Sequence, residues 1–276
     1  MFEFPKPKPL IEVKQKKPEF YLEDFLPIPK SALTMLSAPG GMGKSFLSIQ
    51  LAIRLAQNEN SKILLWLSED PGGLTKYRAE EIFNKIPGVG THLRNIDIID
   101  DMPQHLTYQN YKNYKELFTP YSLIVLDPLI AFYGGEENSN TQARYFMNML
   151  NKIARDNMQS FIIVHHSTKA NKDQESKSRG AGAFIDAVRL SYEIRAIEDN
   201  TLVREVAVTK DNFGVRQIIG ESKKVTVLPY CVEVRKKQDK KYSGLNITIL
   251  DDEEEKTEEE KKKIDDMKQR GFNFDE

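Results

Sequence analysis

One segment constrains this chain more than any other: Ala38-Pro39-Gly40-Gly41-Met42-Gly43-Lys44-Ser45. The residues before it, 33–37, form a short apolar run of strand character. The residues after it, 44–56, repeat apolar side chains at helical spacing. Glycines at 40, 41 and 43 let the backbone curl tightly between the two elements. Several N–H groups then point inward, and the helix opens toward the same point with the positive end of its dipole. The arrangement predicts an anion cradle on an α/β sheet.

The spacing fits the Walker A pattern of a phosphate-binding loop, with Ala38 at the first position in place of glycine. ATP is the expected ligand, with Mg²⁺ as its partner. Pro39, Gly40, Gly41, Met42, Gly43, Lys44, Ser45 and Phe46 are the expected contact residues. Lys44 reaches for the β- and γ-phosphates, and the Ser45 hydroxyl is a ligand for Mg²⁺.

The second element of such a site is an acid at the end of a buried strand. Leu123-Ile124-Val125-Leu126 is apolar throughout and delivers Asp127 at its carboxyl end. Asp127 is therefore the second Mg²⁺ residue, with helix capping before Pro128 as the alternative. A base is also needed to polarise an attacking water. Glu69 and Asp70 follow the apolar strand 62–67, and Glu69 is the first choice. Asp70 is the near alternative, or a cap before Pro71. His165 and His166 end a further apolar strand, 160–164, and either could report on the γ-phosphate. Adjacent strand residues face opposite ways, so the pair does not read as a metal site.

Strands are further expected at 95–99, 190–196, 202–209 and 225–234. A helix over 142–156 carries Phe146, Met149, Leu150 and Ile153 on one face. Apolar strands separated by helices predict a mostly parallel twisted sheet flanked by helices, extended by closing antiparallel strands. The chain divides into an N-terminal arm (1–20), rich in Lys and Pro, an ATPase domain (21–236) and a charged C-terminal tail (237–276). A net charge of −1 gives no global pull toward nucleic acid, so any DNA contact has to come from local basic loops. One cysteine excludes an intrachain disulfide, and no apolar run is long enough for a membrane helix. A cytoplasmic protein without membrane contact is expected.

These motifs, in this order, resemble RecA-like ATPases, and within them the RepA-type hexameric replicative helicases of broad-host-range plasmids, an AAA-type ATPase family. Ser178-Arg179-Gly180-Ala181-Gly182-Ala183, leading to Asp186-Ala187-Val188-Arg189, is similar to that family's Ser-Arg-Gly stretch. Lys210-Asp211-Asn212-Phe213-Gly214 is similar to its Lys-x-Asn-aromatic-Gly element. The resemblance covers residues 21–234. It implies a ring of six copies with ATP between neighbours. A basic residue from one copy would complete the site of the next: Lys210 or Arg189, with Arg216 a third choice. It implies a nucleotide-proximal role for Arg78, toward nucleotide or Glu69. Two loops, 133–141 and 168–179, would face a central channel. The second carries Lys169, Lys172, Lys177 and Arg179, a basic collar for single-stranded DNA once repeated around a ring. A replication initiator or primase is an implied partner. A RecA-like recombination or regulatory ATPase without unwinding activity is the first alternative, and a P-loop small-molecule kinase the second.

Overall fold

The protein is described here from a computed structural model covering residues 6–58, 60–86, 92–136, 139–167, 181–197 and 200–227. Strands β1 (Phe20–Tyr21) and β2 (Ile28–Pro29) make a small antiparallel ribbon. There follow β3 (Leu33–Ala38), α1 (Lys44–Ala56), β4 (Ile63–Leu67), α2 (Gly72–Phe83) and β5 (Ile96–Ile99). Next come α3 (Tyr111–Phe118), β6 (Leu123–Asp127), α4 (Asn140–Asp156) and β7 (Ser160–His166). The last elements are α5 (Ala181–Ala187), β8 (Leu190–Ile197), β9 (Asn200–Asp211), α6 (Arg216–Ile219) and β10 (Ser222–Thr226).

β3 to β10 form one eight-stranded sheet in the order β10-β9-β8-β3-β7-β6-β4-β5. The six strands from β8 to β5 are parallel, while β9 and β10 close the sheet antiparallel. This is the mostly parallel, antiparallel-extended sheet that the sequence predicts. The parallel strands are buried on both faces and therefore read as continuous apolar runs. Alternation along β3 divides the core. Leu36 and Ala38 pack on the side of α1 and α2, whereas Leu33 and Met35 pack with α3, α4 and α5. Among the described residues, no helix is long and apolar enough to cross a membrane.

Several expectations shift. α4 begins at Asn140, two residues before the expected start, because the Ser139 hydroxyl caps it by accepting the Gln142 N–H. That helix start shortens the first expected channel loop. The closing strand runs over Ser222–Thr226 and not from Val225 onward. Its lysines 223 and 224 sit on an edge strand, where charge is tolerated and the apolar signal is lost. Positions 228–234 of the expected strand lie outside the described residues, as do loop 168–179 and the tail. α3 was not predicted. It buries only Tyr114 and Phe118, one i, i+4 contact in an otherwise polar octet.

Candidate active site

Every parallel strand ends on the same edge of the sheet, and four of those ends converge on the loop 38–45. β3 leads into it. Gly41 and Gly43 take left-handed φ values of +74° and +88°, which bend the chain into the start of α1. A Cβ added at Gly40 or Gly41 would meet nothing within 4 Å, so the cradle is open. At Gly43 the case is different, because a Cβ there would lie 2.8 Å from Val227 Cγ1, just beyond β10. Gly43→Ala thus combines a left-handed backbone with a steric overlap and should cost about 2 kcal/mol or more. Thermal unfolding would measure the loss, and adding Val227→Ala should recover only the steric part.

Lys44 is buried, and its Nζ donates to the carbonyls of Ala38 and Pro39, each at 2.9 Å. Burial lowers its pKa, while Asp127 and then Glu69 oppose that shift. Its ammonium is therefore drawn into the loop, with both carboxylates close enough to act on it.

Asp127 ends β6 opposite Leu67 of β4, and its carbonyl accepts the Ser68 N–H at 3.0 Å. Its carboxyl is hydrogen-bonded by Ser45, yet Oδ2 is buried without a partner among the described residues. Burial pushes its pKa up to about 6, the Ser45 hydrogen bond opposes that, and Glu69 adds to it. Asp127 caps no helix. The peptide to Pro128 is cis, and the one-turn helix at Leu129–Phe132 takes no side-chain cap. A buried carboxylate oxygen with no partner, beside a hydroxyl, is the donor set a hard divalent cation takes, so Ser45 and Asp127 fit Mg²⁺. The same burial makes the charge costly in the nucleotide-free fold. Asp127→Asn should therefore raise the melting temperature of the nucleotide-free protein at pH 8 by roughly 3–6 °C, about 1–2 kcal/mol. Calorimetry checks it; an unchanged or lower value would mean that the carboxylate is held by more than Ser45 and Lys44.

The two acids after β4 have different surroundings. Asp70 is ion-paired to Arg78 of α2, whose guanidinium also lies 5.0 Å from the Phe46 ring centroid. Arg78 therefore contacts Asp70 in place of Glu69, correcting one option carried by the resemblance. Nor does Asp70 cap α2. Asp100, at the end of β5, accepts the Gly72 N–H at 2.6 Å, and no local sequence signal marks a partner 28 residues away. Glu69 is exposed beside the loop.

His165 and His166 sit in register with Ser37 and Ala38. Alternation along β7 puts His166 on the α1 face with Ile162 and Val164, and its pKa is lowered by burial and by Lys44, with Glu69 opposing. His165 has its ring centroid 5.8 Å from that of Phe184, its Nε2 is buried without a partner among the described residues, and burial lowers its pKa to about 4. It is neutral at physiological pH.

Lys210 and Arg189 lie elsewhere. β8 starts at Leu190, in register with Thr34 at the amino end of β3 and with Asp211 at the end of β9. Both cations therefore stand at the sheet edge opposite the loop, about 20 Å away for a six-residue strand. There they line a pocket of about 470 Å³ together with Arg155, Asn148, Asn151 and Asn212. Lys210 Nζ donates to the carbonyls of Ile185 (3.1 Å) and Asp186 (2.8 Å) near the end of α5. Arg189 is exposed and has no ion-pair partner among the described residues. Arg216 is engaged by Glu221 at 2.7 Å and by the Val208 carbonyl at 2.5 Å.

Comparison with known proteins agrees with this fold. The chain is similar to a solved structure described as the ATPase domain of G40P, at 14% identity and a TM-score of 0.55, covering 71% of this chain and 81% of that one. At that identity the likeness shows the fold alone, a RecA-like P-loop core. The sequence model of the AAA_25 family, described as an AAA domain, matches residues 10–172. That span holds the loop, Glu69, Asp127 and both histidines, but not Arg189 or Lys210. The match takes in more than half of the sequence, and the chain belongs to the AAA domain family of P-loop ATPases.

Proposed function

We propose that this chain is the subunit of a ring-shaped, DNA-stimulated ATPase, a replicative helicase of the RepA type serving a plasmid, phage or other mobile element. The observation that carries the reading is the split of charge between the two sheet edges. The carboxyl edge holds the phosphate loop with Ser45, Glu69 and Asp127. The amino edge holds a pocket with three cations, Arg155, Arg189 and Lys210, against one acid, Asp186. The pocket is too far to serve its own chain, but it suits the triphosphate of a second copy.

In the cycle so read, backbone N–H groups of the cradle bind the phosphates, and Lys44 leaves its two loop carbonyls for the β- and γ-oxygens. Mg²⁺, held by Ser45 and Asp127, would supply neutralisation of charge on those oxygens. Glu69 accepts a proton from the attacking water. Asp70, fixed by Arg78, stays out of that role. His166 lies on the phosphate side and is the residue placed to respond to loss of the γ-phosphate. Arg189 and Lys210 enter the neighbour's site and offset negative charge there. Loop 168–179 supplies the basic contact to single-stranded DNA, and the cytoplasm is the site of action.

The test is unwinding of a forked duplex with Mg²⁺ and ATP, alongside Arg189→Ala and a measurement of oligomeric mass. A ring that unwinds, and a variant that assembles yet hydrolyses poorly, support the reading. A monomer that phosphorylates a small acceptor would replace it with a kinase. A ring that hydrolyses and binds DNA without strand separation would leave the regulatory or recombination reading.

A further inference from the structure

Behind the phosphate edge, four rings form a continuous, largely edge-to-face cluster that no step above uses. His165 of β7 contacts Phe184 of α5, with centroids 5.8 Å apart. Phe184 in turn lies 5.2 Å from Tyr133 at 88° and 6.4 Å from Phe146 of α4, and Tyr133 lies 5.4 Å from Phe146. Tyr133, Phe146 and Phe184 are all buried. The cluster touches two strand ends of the site. His165 adjoins His166 in the chain, and Tyr133 follows Asp127 through the one-turn helix at Leu129–Phe132.

Beyond Tyr133 the chain is tied back to the Tyr133 ring and to Gln142 of α4. The Tyr133 hydroxyl donates to the Glu136 carbonyl at 2.9 Å, and the Glu136 N–H donates to Gln142 Oε1 at 2.8 Å. A Cβ at Gly134 would meet His105 at 2.6 Å, and one at Gly135 would meet Gln142 and Tyr133, each at 2.5 Å. Gly134 and Glu136 are exposed, so this turn is held from its inner side, by His105, Gln142 and the Tyr133 ring. α5 is tied in the same way, because its buried Phe184 is the side chain in contact with both His165 and Tyr133. Close-packed rings transmit displacement because they have no free volume to absorb it.

We propose that Phe184 and Tyr133 are positioning residues that couple the nucleotide state, sensed at the ends of β6 and β7, to the turn 133–136 and to α5. The inference rests on the nucleotide-binding part of the proposed function. It explains why two adjacent histidines end β7: His166 falls on the α1 face, while His165 passes the strand's displacement to the ring cluster. No titration is involved, since His165 is needed as a shape.

Hydrogen exchange with and without Mg²⁺ and a slowly hydrolysed ATP analogue tests this without DNA. In wild type, amides of the phosphate loop, of 133–136 and of α5 should all change protection. In Phe184→Leu, which keeps an apolar side chain, the phosphate-loop change should persist and the other two should fall at least threefold. Tyr133→Phe, which removes only the hydroxyl, should keep the α5 response and lose the one at 133–136. Responses at both places that survive Phe184→Leu overturn the coupling. So does a wild type in which only the phosphate loop responds, an outcome that leaves the proposed function standing. A phosphate loop that fails to respond counts against the proposed function and the coupling together. Phe184→Leu should also keep basal hydrolysis within about twofold; a larger loss would mean a merely structural role.

Discussion

Lys44→Ala will lower ATP hydrolysis by about 10²–10³-fold or more, the loss expected when a preorganised charge aimed at a transferring phosphoryl group is removed. The argument rests on what the side chain does before nucleotide arrives. It is buried, holds the carbonyls of Ala38 and Pro39 at 2.9 Å, and faces Asp127 and Glu69. Alanine therefore removes the cation that faces both of these carboxylates. Like-charge repulsion between Asp127 and Glu69 is then unopposed, which weakens triphosphate binding as well as turnover. Phosphate release and analogue affinity should both fall. A variant that retains a tenth of wild-type turnover would show that Lys44 stays on its loop carbonyls throughout the cycle.

The second large effect separates two neighbouring acids. Glu69→Gln should reduce turnover by about 10²–10⁴-fold while nucleotide affinity stays within a few-fold, the pattern of a lost general base. Asp70→Asn should behave differently. It breaks the pair with Arg78 and frees a guanidinium that rests on Phe46, one residue after Ser45. Its effect should appear mainly in affinity, with turnover at saturation within about tenfold. Saturating steady-state kinetics on both variants decide the matter. The reverse ranking would make Asp70 the base and Arg78 its partner in that role.

Much of this architecture could be read from residues in sequence. The loop, both flanking elements and the buried run before Asp127 are local signals: period, glycine placement and an acid at a strand end. α1 starts and ends where its apolar spacing says, and Phe146, Met149, Leu150 and Ile153 are all buried on one face of α4. What stayed hidden was long-range or weakly apolar. The ribbon β1–β2 offers two residues per strand, too short for any period. It is held by distant groups, with Tyr192 OH donating to the Pro27 carbonyl at 2.7 Å. Arg78 could be chosen by resemblance, toward nucleotide or Glu69; its pairing with Asp70 emerges only once α2 is in place. Val227 against Gly43 joins positions far apart in the chain, and only the pairing of β10 with β9 brings them together. Arg189 and Lys210 could be chosen by resemblance; their place on the far edge required the register of β8 and β9.

The most direct test of the central claim is ATP hydrolysis by the full chain with and without single-stranded DNA, with Lys44→Ala as the blank. The account predicts hydrolysis that rises severalfold with DNA and vanishes in the blank. Hydrolysis abolished by Lys44→Ala but indifferent to every nucleic acid tried would contradict the motor reading and leave a P-loop ATPase that acts on something else.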